Sequence, residues 1–144
     1  MITINPYFNF NGNTEDAFNF YKSVFGGEFT SVQRFKDTPH GDQMSAADKE
    51  KIMHVALPIG KGNILMGTDI LESMGQKLNL GNNFSLTINP ESEAEAEKYF
   101  NKLSVGGTVV MPLEKAFWGA YFGMVTDKFG IQWMVNYEYN QSKS

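Results

Sequence analysis

Two stretches of this chain, about eighty residues apart, are built to one plan. Asn5-Pro-Tyr-Phe-Asn-Phe leads into a helical stretch from Glu15 to Phe25, then Gly26-Gly27 and a strand. Asn83-Phe-Ser-Leu-Thr-Ile leads into a helical stretch from Glu91 to Leu103, then Gly106-Gly107 and a strand. The apolar positions agree as well: Ala17, Phe20, Tyr21 and Val24 in the first helix, Ala96, Tyr99, Phe100 and Leu103 in the second. That spacing (i, i+3, i+4, i+7) turns one face of a helix toward a core. A repeated strand–helix–strand unit predicts two like modules packed side by side, with the concavity between them as the natural seat of a ligand.

The rest of the chain extends each half to β-α-β-β-β. Residues 2–10 alternate, with Ile4, Phe8 and Phe10 on one parity and Asn5, Tyr7 and Asn9 on the other, which reads as a strand with two different faces. Asn13 or Thr14 is expected to cap the first helix, and a second strand runs over about 28–35. Residues 36–51 carry almost nothing to bury and read as a long polar connection. A hairpin follows: strand 52–59, a turn at Gly60-Lys-Gly62, and strand 63–68. After a connector at 70–82 comes strand 83–89, with Asn89-Pro90 as the expected start of the second helix. Strands 107–112, 119–126 and 131–138 complete the second half, and the polar tail Asn140–Ser144 is expected to fray. The expectation is a single α+β domain over 1–144: module one at about 1–69, the connector, and module two at about 83–139.

With 144 residues, the chain has room for one substantial core. Its formal charge of −4, with no Lys/Arg cluster, speaks against nucleic acid or an anionic membrane as partner. The absence of cysteine excludes disulfides and thiolate chemistry. No run approaches the roughly 18 apolar residues of a membrane span. These features suit a cytoplasmic protein.

Several residues are candidates for chemistry. His54 is the one histidine on an expected strand, suited to a general base or a ligand anchor; a hydrogen-bonded structural histidine is the competing reading. The polar parity of each first strand (Asn5, Tyr7, Asn9; Asn83, Ser85, Thr87) would line the cavity with neutral donors and acceptors, while Phe8, Phe10, Phe84, Leu86 and Ile88 face the helices. Phe117, Trp118, Tyr121, Phe122 and Trp133 could stack a planar ligand, or simply pack. Met66 and Met134 could give an adaptable apolar wall. Segment 36–51 could act as a lid bringing His40 or Asp42, against a plain solvated connection. The glycines at 26–27, 60–62 and 106–107 fall at turns and helix ends, so no phosphate cradle is expected.

Four stretches resemble one known group. They are Pro6-Tyr7-Phe8-x-Phe10-x-Gly12-Asn13, Phe20-Tyr21-x-x-Val24-Phe25-Gly26-Gly27-Glu28, Phe117-Trp118-Gly119-x-x-Phe122-Gly123 and Asp127-x-Phe129-Gly130-x-x-Trp133, together with His54. This combination resembles the PhnB-like branch of the vicinal oxygen chelate superfamily (glyoxalases, bleomycin-resistance proteins and dioxygenases). The branch often carries a demethylubiquinone-methyltransferase label, although no glycine-rich S-adenosylmethionine loop is present here. The resemblance implies two modules related by a pseudo-twofold axis, forming an open barrel, and a C2 homodimer. It also implies that superfamily metal ligands would fall near Asn5 (or Pro6), Met66, Asn83 and Met134, none of them His, Asp or Glu. The expected function is therefore binding of a small organic molecule between the modules, with no metal or other cofactor. Alternatives are a lyase or isomerase with His54 as base, and a drug-sequestering resistance protein.

Overall fold

The computed structural model describes residues 2–139; the tail Asn140–Ser144 lies outside them. The chain separates into two compact units, Met1–Asn79 and Leu80–Ser144. The first contains β1 (Tyr7–Phe10), α1 (Thr14–Phe25), β2 (Ser31–Arg34), α2 (Ala46–Glu50), β3 (Ile52–Ile59) and β4 (Asn63–Asp69). The second contains β5 (Leu86–Ile88), α3 (Glu93–Ser104), β6 (Thr108–Ala116), β7 (Ala120–Thr126) and β8 (Gln132–Glu138). Each unit forms one four-stranded sheet, ordered β1-β4-β3-β2 and β5-β8-β7-β6. The outer first strand runs parallel to its neighbour and the other pairs are antiparallel, so the two halves share one topology.

In the first unit α1 buries Thr14, Ala17, Phe18, Tyr21 and Val24. The stripe is thus centred on Phe18, and Phe20, expected in the core, is half-buried at its margin. The cause lies in the sheet. Gly67 leaves a hollow into which Phe18 descends, so close that a Cβ on residue 67 would stand 2.6 Å from the Phe18 ring. The rings of Phe8, Phe18 and Tyr21 close the layer, with centroids 5.5–6.1 Å apart.

The start of α1 also differs from expectation. Asn13 makes no side-chain capping bond. The buried carboxylate of Asp69, at the end of β4, takes that role instead: Oδ1 accepts from the Thr14 N–H (3.0 Å), the Thr14 hydroxyl (2.6 Å) and the Gly12 N–H (3.0 Å). Its Oδ2 accepts from the Ile52 N–H at 2.8 Å, tying in the start of β3. A carboxylate at a helix N-terminus is favoured by both the unpaired N–H groups and the helix dipole.

Residues 36–51 are not the featureless connection their polarity suggests. Turns of 3-10 helix at Phe35–Asp37 and Gly41–Gln43 lead into α2, which Ser45 caps by accepting from the Asp48 N–H. Arg34 clamps the segment, donating to the Glu15 carboxylate (2.6 Å) and to the Glu50 carbonyl (2.7 Å). Asp48 is buried, accepts from the Ser73 hydroxyl (2.6 Å) and pairs with Lys51 (3.1 Å). Held in this way, the segment does not resemble a free lid, and His40 and Asp42 are exposed on it.

In the second unit α3 begins later than expected. Ser92, rather than Asn89, is the N-cap and accepts from the Glu95 N–H, while the Glu95 carboxylate reaches back to the Glu91 N–H. Pro90 is fully buried just upstream. Ala96, Phe100 and Leu103 are buried as the periodicity predicts, and Tyr99 is half-buried. Phe100 lies over Gly123, where a Cβ would stand 2.7 Å from its ring. The outer strands β1 and β5 are shorter than the alternation suggests, and the apolar rows fail at their ends: Ile4 is 88% exposed and Phe84 61%. Strand β6 is longer than expected, because it stays paired to β7 through Ala116 and Ala120 despite two register shifts. Among the described residues no helix is long and apolar enough to cross a membrane.

Phe18→Ala is expected to cost about 3–5 kcal/mol in denaturant unfolding, and Phe20→Ala distinctly less. Equal losses would place the wrong ring in the core. The Ser73 hydroxyl, and then Lys51, hold the Asp48 carboxyl below its ordinary value. A lowered folded-state pKa contributes stability above the unfolded-state value, and that contribution is lost as pH falls through the folded one. Ser73→Ala should therefore move the Asp48 carboxyl titration upward in an NMR pH series and flatten the acid limb of the stability curve.

Candidate functional site

Helix α1 covers the face of the first sheet that carries Phe8, Val55, Leu57 and Gly67, so strand alternation turns Tyr7, Asn9, His54 and Met66 to the opposite face. Parallel pairing of β1 with β4 seats Tyr7 beside Met66 and Asn9 beside Thr68. Antiparallel pairing places Ala56 on the other side of Met66, and Gln33 opposite His54. The Tyr7 side chain reaches across β4 to His54: its hydroxyl lies 3.3 Å from Nδ1, with ring centroids 5.8 Å apart and planes tilted by 32°. Tyr7 is 46% exposed and His54 half-buried, so the pair is supported by the sheet and open to solvent. Read from the chain alone His54 has no partner; Tyr7, 47 positions away, supplies one. Their shared strand parity is the signal that could have joined them.

The remaining expected site residues divide. Asn5 precedes β1, and its side-chain carbonyl accepts from the Ile64 N–H at 3.3 Å, which makes it a strap between strands. Asn9 is exposed on the open face. In the second unit Thr87 and Met124 flank Met134, and the Thr87 hydroxyl donates to the Met134 sulfur at 3.8 Å. Asn83 is exposed and Ser85 half-buried, both ahead of β5. Trp133 does not share a face with Met134, since neighbours on a strand point opposite ways. It is 2% exposed on the α3 side, and its indole N–H donates to Asp127 at 2.8 Å. Its place is in the core.

Phe117 and Trp118 occupy the tip between β6 and β7, Phe117 being 97% exposed. Trp118 stands edge-on to both Phe117 (5.1 Å) and Phe122 (5.6 Å). Tyr121 leaves this cluster for the helix side and donates to Glu97 at 3.1 Å. Desolvation, then Glu97, raises its pKa. Tyr139 is tied in the same way to Glu93, and desolvation followed by that carboxylate pushes its pKa up to about 12.

Matching registers align the two halves. Tyr7 and Ala56 flank Met66 as Thr87 and Met124 flank Met134, so Tyr7 corresponds to Thr87, and His54, two residues before Ala56, corresponds to Phe122. In this register the neighbours of Met66 and Met134 on the first strands are Tyr7 and Thr87, not Asn5 (or Pro6) and Asn83. Neither Tyr7 with Met66 in the first unit nor Thr87 with Met134 in the second fits a hard divalent ion, which wants carboxylate or imidazole. Among the described residues no group of three or more His, Asp or Glu side chains could hold one.

Comparison with known proteins agrees with this architecture. The chain is similar to protein PA1353 from Pseudomonas aeruginosa, at 41% identity with a TM-score of 0.84 over 96% of this chain and 98% of that one. It is similar to the PhnB protein from Bacillus cereus at 26% identity, TM-score 0.76, over 94% and 99% of the two chains. In fold alone it is similar to a glyoxalase/bleomycin resistance protein/dioxygenase family enzyme from Burkholderia phytofirmans, at 16% identity and TM-score 0.56, over 91% and 95%. The profile of the family described as 3-demethylubiquinone-9 3-methyltransferase matches residues 2–136, and the chain therefore belongs to that PhnB-like family, with a glyoxalase/bleomycin-resistance fold.

Proposed function

We propose that this chain binds a small polar organic molecule on the open face of its first sheet, with no metal ion involved. The observation that carries this reading is the Tyr7–His54 pair. It lies on the face turned away from α1, and in only one of two otherwise matching modules. A pair kept merely for packing would need no such exposure. Asn9 and Gln33 add neutral amide donors and acceptors to the same face. The family's description names a methyltransferase, but methyl transfer is not part of this reading: the glycines with positive φ sit in turns and at helix ends.

A second reading is favoured by the same pair. His54 Nε2 makes no hydrogen bond among the described residues, which leaves it to meet a carbonyl-bearing substrate in a lyase or isomerase. Sequestration of a planar drug rests instead on Phe117, Trp118 and Phe122. We also propose a homodimer, supported by exposed Val109, Val110 and Met111 on edge strand β6 and by Phe117 and Trp118 at its end.

A melting screen with small polar carbonyl compounds and planar aromatics separates these readings. A ligand at a hundred times its dissociation constant stabilises by about 2.7 kcal/mol. Stabilisation by a polar compound should fall by about 0.5–1.5 kcal/mol in Tyr7→Phe and by more in His54→Ala, and should persist in Trp118→Ala. Dependence on Trp118 alone would favour sequestration, and turnover lost in His54→Ala would favour the enzyme.

Added zinc, nickel or manganese should leave the melt unchanged. Saturable metal-dependent stabilisation that vanishes in Met66→Ala would restore a metal site. Light scattering should give a dimer mass, and a monomer at micromolar concentration would remove the dimer proposal.

A further inference from the structure

We infer that Tyr7 is a positioning residue that fixes the His54 tautomer with its proton on Nε2, so that His54 offers the open face a hydrogen-bond donor, and that the group it receives is the carbonyl oxygen of an uncharged molecule. This inference rests on the binding reading for that face and gives it a chemical class.

A neutral imidazole has one N–H and one bare nitrogen, and the partner of one nitrogen decides the state of the other. The partner here is a phenol, 3.3 Å from Nδ1. A phenol is the stronger donor in such a pair, because its oxygen lone pair is delocalised into the ring, whereas the bare imidazole nitrogen is a good acceptor. Tyr7 therefore donates to Nδ1, and the ring proton resides on Nε2. The single hydrogen of Tyr7 is committed, so its oxygen can only accept from anything else. In this state His54 would serve a lyase or isomerase by polarising an oxygen brought to it and not as its base. The register neighbours on the same face are Asn9, Thr68, Gln33, Ala56 and Met66, none of them cationic. A carboxylate would find no counter-charge among them, while a neutral carbonyl oxygen needs only the Nε2 donor.

The test is a long-range nitrogen–proton NMR spectrum of the full chain at alkaline pH, where the imidazoles are neutral, with His54 assigned by its loss in His54→Gln. The expected result is a bare Nδ1 and a protonated Nε2 for His54. Tyr7→Phe should relax this pattern toward the averaged one of exposed His40. A protonated Nδ1 in the wild type, or an unchanged pattern in Tyr7→Phe, overturns the tautomer assignment whatever the face binds. Cyclohexanone and cyclohexylamine then serve as isosteric probes. A saturable shift of Nε2 by the ketone and not by the amine is expected. A shift by the amine alone overturns the ligand class. No shift by either overturns the ligand class together with the binding reading, and leaves the tautomer standing on its own spectrum.

Discussion

The first unit depends on one buried carboxylate. Asp69 gathers the turn at Gly12, the start of α1 at Thr14 and the start of β3 at Ile52 onto the end of β4. These segments are far apart in sequence, and all of them leave backbone N–H groups that a core without water must satisfy. Hydrogen bonds to a charged acceptor contribute about 1.5–3 kcal/mol each, twice a neutral one, and removing the acceptor would strand every donor at once. In the second unit Asp127 does related work on a smaller scale, accepting from the Phe129 and Ile131 N–H groups and from the Trp133 indole. A short polar side chain at a strand end thus organises each half.

What was legible in the chain was whatever local periodicity controls. The repeat, the Ala96–Phe100–Leu103 stripe and the β3–β4 hairpin follow from 3.6-residue spacing, strand alternation and Gly60-Lys-Gly62. What was not legible depends on partners distant in sequence. Phe18 replaces Phe20 in the core because a glycine on β4 makes room for it. Segment 36–51 takes shape because Arg34, itself held by Glu15, and Ser73 supply partners from outside it. Asn13 loses the cap to Asp69 for the same reason. Strand parity put Tyr7 and His54, each by itself, on the face turned away from α1. Their meeting required the parallel register of β1 on β4, which no local pattern encodes.

The two halves also show how a repeat can keep its frame and lose its chemistry. The helix-facing positions stay apolar in both, since each sheet must be covered. On the other face Tyr7 and His54 in one unit correspond to Thr87 and Phe122 in the other. Packing restrains the first set of positions, and little in the frame restrains the second. A difference confined to the open faces is where a specific ligand would leave its mark.

The close approach of Phe18 to Gly67 has a consequence beyond stability. A β-sheet is a wall one residue thick, and Gly67 sits between Met66 and Thr68, which belong to the open side. Phe18 therefore packs directly against the back of β4, the strand Tyr7 must cross to reach His54. A methyl group added at residue 67 would press on the helix side yet be felt as a change of span on the other. The two faces share no side chain, but one backbone carries both, with α1 packed on one side and the Tyr7–His54 pair on the other.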